Sequence, residues 1–492
     1  MDPTLRQRAV MVLIGGLAGL SLYVLSEVLR QELLPDRLAL ALSGFAVVFF
    51  GGVLAMTGPI RLTRAASGAL GAAVVVAGLL TWASLRYARV ADFLEAPMPF
   101  LAALVLATVP LPFFIAASGP GWRDYATLFT QSWTIAVRYA AAWLFTAVVW
   151  AVIFLSDALL SIVGLTVIEV LIDQEPVPWL VTGAVLGLGL AVVTELSDLV
   201  SPYLVLRLLR LLLPVVLTVM ALFVLALPLR GISHLFGDLS VAATLLAMAA
   251  AALTLVSTAV DQSDDEAVEG RFMALAARGL ALLVPVYGAL AGWAVWLRVD
   301  QYGWTPPRLF AAVMAALVVG YGLAYLWAVL GAVFSGRGWM AGIRQANLAM
   351  ALVLMAAAAV WLTPLFDPQA ISARDQLARY MAGRTAVGNL DLDALANWGR
   401  AGQGALARLD DVAKDPGQEA LAAILASRST AGGMDDLGRT GLLAQLKTRM
   451  PLRPEAATPA RNLVFDSLSV QELAAWAESC ATLLPDGRPG CV

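Results

Sequence analysis

Residues 298–308 read Arg298-Val-Asp-Gln-Tyr-Gly-Trp-Thr-Pro-Pro-Arg308, a polar turn between two apolar runs at roughly 272–297 and 309–333. Each run is long enough to cross a bilayer, which takes about 20 apolar residues. The chemistry of the turn agrees. Gly303 permits positive φ. Thr305 is placed to cap a helix opening on Pro306 and Pro307, where a missing N–H costs nothing. Arg298 and Arg308 suit the headgroup layer, and Tyr302 and Trp304 suit the interfacial aromatic belt. Two spans joined by such a turn are the unit from which the chain is built.

Working outward, the composition says the same. The chain has 492 residues, is 60% hydrophobic and 14% charged, and has a mean hydropathy of +0.81. Soluble domains carry about 25% charge, so the bilayer is the solvent for most of this chain. A net charge of −3 leaves no basic footprint for nucleic acid. One histidine, His234, and two cysteines, Cys480 and Cys491, cannot build a Cys/His zinc site or an iron–sulfur cluster. No metal or cofactor is expected.

Candidate spans fall at roughly 9–29, 38–57, 67–85, 99–117, 134–155, 178–196, 211–229, 239–258, 272–297, 309–333 and 344–363. The run after Arg6 and Arg8 is too long for a cleaved signal and reads as a retained first span. Residues 158–172 are apolar but short, and leave the count at eleven or twelve. Arginines weigh the two counts, because cytoplasmic loops hold the excess. With eleven spans and the N-terminus inside, the inner loops hold Arg6, Arg8, Arg61, Arg64, Arg123, Arg207, Arg210, Arg271, Arg337 and Arg344. The outer loops hold Arg30, Arg37, Arg86, Arg89, Arg230, Arg298 and Arg308. Twelve spans would reverse the bias, so eleven is the reading.

The fold expected is all-α: a polytopic transmembrane helix bundle over 1–363, then a small soluble helical domain over 364–492. Ser372-Ala-Arg-Asp375 is spaced as a capping box for a helix reaching Met381, and Ser469-Val-Gln-Glu472 as a second. Cys480 and Cys491 flank the turn Pro485-Asp-Gly487 and suit a disulfide closing a short loop. Such a bond persists in a periplasm and not in a cytosol. The cysteines and the span parity together place the tail outside.

Charged residues within spans are functional candidates. Here they are Glu195, Asp198, Arg138, Glu169 and Asp157, all near span ends, where headgroups and water can also solvate them. The acidic loop at 259–271 reads as a solvated connector, and His234 as an interfacial side chain. Gly15/Gly19, Gly183/Gly187 and Gly288/Gly292 have the small-xxx-small spacing of close helix packing. No phosphate-binding loop, Gly-x-Ser-x-Gly or His-Glu-x-x-His is present, so no catalytic residue is assigned.

The 298–308 turn resembles a motif of a bacterial membrane family, domain of unknown function 4153, at Arg298, Gln301, Tyr302, Gly303, Thr305 and Arg308. Trp304 stands where that family more usually has a small aliphatic residue. Arg207-Leu-Leu-Arg-Leu-Leu-Leu-Pro214 and Asp367-Pro-Gln-Ala-Ile-Ser-Ala-Arg-Asp-Gln-Leu-Ala-Arg379 are also similar. The resemblance implies a multi-spanning inner-membrane protein and no reaction. Two functions fit these residues. One is a transport or envelope-translocation component. The other is a non-catalytic scaffold or sensor whose residues 364–492 meet an envelope partner.

Overall fold

Apolar side chains run without a polar stripe along most helices, as expected where lipid replaces water. In the computed structural model the chain forms helices α1 (Pro3–Arg30), α2 (Asp36–Met56), α3 (Leu62–Ser84), α4 (Val90–Leu94), α5 (Pro97–Thr108), α6 (Pro110–Ala117), α7 (Tyr125–Ile162), α8 (Val167–Ile172) and α9 (Pro176–Glu195). There follow α10 (Pro202–Arg210), α11 (Leu213–Arg230), α12 (Leu239–Val260), α13 (Arg271–Tyr302), α14 (Pro306–Ser335), α15 (Trp339–Leu362), α16 (Pro368–Met381), α17 (Leu392–Asn397) and α18 (Gly399–Val412). The structure describes residues 3–195, 202–230, 239–335, 338–426, 443–444, 446–447, 464–465, 473 and 476. Among them there is no β-strand. His234, Arg337, Asp198, the Ser469–Glu472 box and the pair Cys480 and Cys491 lie outside the described residues.

Among the described residues, eleven helical stretches are long and apolar enough to cross a membrane, α5 with α6 and α10 with α11 each counting as one. Residues 158–172 do not add a twelfth. α7 runs on to Ile162, Gly164 turns the chain at φ 77°, and α8 has six residues. Prolines mark the breaks. Pro110 opens α6 directly after α5, and Pro214 sits at the start of α11, at the break within the span that α10 and α11 form together.

The spans alternate between two ends of the bundle. Here the first end is where α1 begins, and the second is where α13 turns into α14. Close packing relies on missing side chains. A Cβ on Gly15 or Gly19 would run into the backbone of Gly183 or Trp179, and one on Gly187 into Met11. The expected glycine pairs of α1 and α9 therefore face each other, because only without Cβ can two helix backbones approach this closely. Gly322 admits the Pro285 kink of α13 in the same way, with a Cβ falling 2.5 Å from the proline nitrogen.

The buried apolar residues form separate cores. One contains Met11, Leu54, Ala142, Leu190 and Ala191 from α1, α2, α7 and α9. A larger one contains Leu213, Met220, Leu280, Val284 and Tyr325 from α11–α14, with Ile343 of α15. A third, toward the second end, joins Leu80, Phe93 and Leu106 to Ala358, Trp361 and Leu362 of α15. The bundle is thus two helix sets, α1–α9 and α10–α15, sharing an apolar core toward the second end.

The described chain divides into two compact units, 1–384 with 391–403, and 385–390 with 404–492. α16 and α17 thus belong to the unit that contains the spans. In the second unit Leu406, Leu409, Leu421, Phe465 and Leu473 are buried, and the Phe465 ring lies 6.4 Å from Trp476, edge-on. The expected helix to Met381 forms, but it begins at Pro368. Asp367, not Ser372, is its cap, accepting from the Ala370 N–H at 3.0 Å. Asp at the N-cap followed by Pro at N1 is the stronger start signal.

Candidate functional site

A helix ends with carbonyls that have no partner in the helix itself. Near a bilayer, water cannot always reach them, and a guanidinium with five donors is the best substitute. Arg138 on α7 is 5% exposed and reaches the end of α2, with Nη1 3.5 Å from Ala55 O and Nη2 3.3 Å from Thr57 O. Arg86 gives Nη2 to Trp361 O, Thr363 O and Phe366 O at 2.7–3.1 Å, closing α15. Arg210 and Arg344 close α12 through Thr258 O and Val260 O, each at 2.8 Å. Arg379 closes α13 through Asp300 O at 2.6 Å and Gln301 O at 3.1 Å. The positive guanidinium also opposes the negative end of the helix dipole.

This accounts for several predicted site residues. Arg138 is a cap, although its Nε has no partner. Glu195 takes Arg8 Nε at 2.9 Å on both carboxylate oxygens, tying the ends of α9 and α1 together. Asp157 leaves Oδ1 buried and unpartnered on α7, and Glu169 sits on the short α8. Asp198 lies outside the described residues, so no pairing with Glu195 is drawn. Burial pulls the Arg86 guanidinium down from its ordinary value and pushes the Tyr87 hydroxyl up, while Tyr87 accepts from Gln369 at 2.7 Å.

The 298–308 turn is held by α16. Gly303 ends α13 at φ 77°, and its N–H bonds Val299 O at 2.8 Å. Asp375 accepts from the Trp304 N–H at 2.6 Å, and Gln376 donates to Tyr302 O at 2.8 Å and Trp304 O at 3.1 Å. Arg308 donates to Gly303 O at 2.6 Å. Arg298 and Arg308 each lie 5.6 Å from the centre of the Tyr302 ring. Gln301 contributes only its carbonyl, and Thr305 precedes the helix start at Pro306 as expected. Two of the stretches that carry the family resemblance, far apart in sequence, thus meet here.

One polar cluster is neither a cap nor a turn. Asn347 of α15 donates Nδ2 to the Tyr125 hydroxyl at 2.9 Å and to Ser257 Oγ at 3.2 Å. Its Oδ1 accepts from Tyr325, a fully buried side chain of α14 whose hydroxyl is 3.3 Å from Ser257 Oγ. Toward the first end, Thr130 of α7 donates to Gln262 at 2.7 Å. Asp261 pairs with Arg210, and Arg344 reaches Asp264 Oδ1 at 2.7 Å. Burial pushes the Asp261 carboxyl up from its ordinary value, against the Gln262 N–H, Arg210 and Arg344. The cluster joins α7 of one helix set to α12, α14 and α15 of the other. Tyr125, Thr130, Ser257, Tyr325 and Asn347 were missed from sequence, and Asp261, read there as part of a solvated connector, is buried. The available signal was Asn347, an amide inside an apolar span, which must find partners there.

A protein-family model described as "Domain of unknown function (DUF4153)" matches residues 38–409. No curated protein and no solved structure matches the chain.

Proposed function

The chain belongs to this family of unknown function, DUF4153, and is a multi-pass membrane protein; we propose that it is a transport or envelope-translocation component of the bacterial inner membrane, working by relative movement of its two helix sets. One observation carries the reading. Toward the second end the sets share an apolar core and the Arg86 clamp. Toward the first end Tyr125 and Thr130 of one set meet Asn347, Ser257 and Gln262 of the other by hydrogen bonds. Such contacts in membranes average about 0.6 kcal/mol and reach about 1.7 kcal/mol. Water entering an opening seam can replace them, whereas it cannot replace an apolar core. The second end is therefore the hinge and the first end the gate.

The excess of arginines in the loops of the first end supports a cytoplasmic N-terminus and gate, with residues 364–492 in the periplasm. No catalytic step is assigned. The test uses spin labels on a chain in lipid nanodiscs, with Cys480 and Cys491 replaced by serine. One pair, Arg123→Cys with Asp265→Cys, reports on the first end; Arg89→Cys with Met381→Cys reports on the second. Two distance populations at the first end and one at the second are expected. A single narrow population at both ends overturns the reading.

The second reading, a scaffold or sensor meeting an envelope partner through residues 364–492, draws on α16. A force on that helix passes through Arg379 to the end of α13. Full function after removal of 404–492 would count against it.

A further inference from the structure

Three guanidiniums gather at the second end around one turn. Arg298 lies one turn before the end of α13, Arg308 in the first turn of α14, and Arg379 in α16. Arg379 has work to do, capping α13, but its Nε is buried without a partner. Arg308 spends one nitrogen on Gly303 O. Among the described residues Arg298 makes no hydrogen bond, and its guanidinium lies over the Tyr302 ring. None of the three forms an ion pair among the described residues. The nearby Asp375 is committed to the Trp304 N–H, and Asp300 is exposed and unpaired.

Two of these positions run against the physics of an isolated fold. A cation in the first turn of a helix faces the positive end of the dipole, which is unfavourable. α14 has no acidic residue in that turn to offset it. Two guanidiniums brought to one aromatic ring repel each other, and a ring contact at an exposed site returns little. The Tyr302 ring is 56% exposed, so the group is open to the outside. Both costs are offset once an anion sits among the guanidiniums.

We propose that Arg298, Tyr302 and Arg308 form a binding site for a phosphate-type oxyanion at the second end. The free nitrogens of Arg298 and Arg308 offer the forked donors that phosphate oxygens accept two at a time. The Tyr302 hydroxyl adds a third donor, and the dipole of α14 adds to the field. The anion is either a lipid headgroup phosphate or a free phosphate group. The site lies at the bundle end, where both are within reach.

The experiment is thermal unfolding of the full chain in phosphatidylcholine nanodiscs. One arm adds phosphatidylglycerol to the disc, a second adds inorganic phosphate, and a third adds chloride at the same ionic strength. A rise in the midpoint with phosphatidylglycerol alone supports the site and identifies a headgroup. A rise with inorganic phosphate identifies a free anion. In either case Arg298→Gln loses most of the rise. Arg298 holds no backbone group, so this variant keeps the fold, and Arg298→Lys, which keeps the charge, retains part of the rise. No rise beyond chloride in either arm, or an undiminished rise in Arg298→Gln, overturns the proposal.

Discussion

The amide of Asn347 donates to the hydroxyl of Tyr125, 222 residues earlier, at 2.9 Å. Asn347 also accepts from Tyr325 and donates to Ser257, so one side chain serves three hydroxyls on three helices. Replacing it by leucine leaves the Tyr125 hydroxyl unserved in apolar surroundings, and leaves Tyr325 and Ser257 only their contact with each other. At about 0.6 kcal/mol for an average contact and up to about 1.7 kcal/mol for a strong one, Asn347→Leu is expected to destabilise by roughly 2 kcal/mol. Ser257→Ala, which removes less, is expected to cost a fraction of that. Denaturant or thermal unfolding in nanodiscs measures both.

Gly303 combines a positive φ of 77° with a crowded neighbourhood. A Cβ there would fall 2.6 Å from Asp375 Oδ2 and Gln376 Nε2 and 2.7 Å from Arg379 Cδ. Gly303→Ala therefore strains the backbone, at about 1–3 kcal/mol, and pushes α16 off the turn. Faster proteolysis near residue 381 and a lower unfolding midpoint are expected. Gly71→Ala, a helix position with nothing within 4 Å of the new Cβ, is the control and changes stability little.

Gly183 faces Gly15 across the α1–α9 contact, and a Cβ on either would collide with the other's backbone. Gly183→Ala must separate the two helices, and overpacking of this kind costs about 1–3 kcal/mol. Gly16→Ala, on the neighbouring position of α1, meets only the Ala184 methyl at 3.9 Å and is expected to be tolerated. Comparing the unfolding midpoints of the two variants isolates the helix contact from the change in propensity.

Much of the membrane architecture was legible because lipid imposes a length rule. A helix must keep about 20 apolar residues together to cross, and the eleven runs that meet this rule are the eleven spans. The glycine spacing on α1 and α9 was readable for a related reason, since close helix approach requires missing side chains at fixed intervals. The short run at 158–172 was not decidable by length alone. It depends on α7 continuing past its span and on the turn at Gly164. Arg138 illustrates a different limit. A charge in an apolar run marks a functional site or a cap, and its position beside Ala55 O and Thr57 O comes only from the tertiary structure.

By itself, then, the sequence determined the solvent, the long apolar spans and the turn at Gly303, because these follow from local hydropathy and backbone sterics. Which residues form a site was decided by tertiary structure alone. Hydrophobic periodicity says which segments lie in lipid, but lipid-facing and protein-facing apolar residues look alike in a span. The partners of Asn347 come from three other helices, and the residues that hold the 298–308 turn come from α16. Such contacts carry no local signature, because hydrogen bonds between distant segments constrain each residue only after the helices have packed.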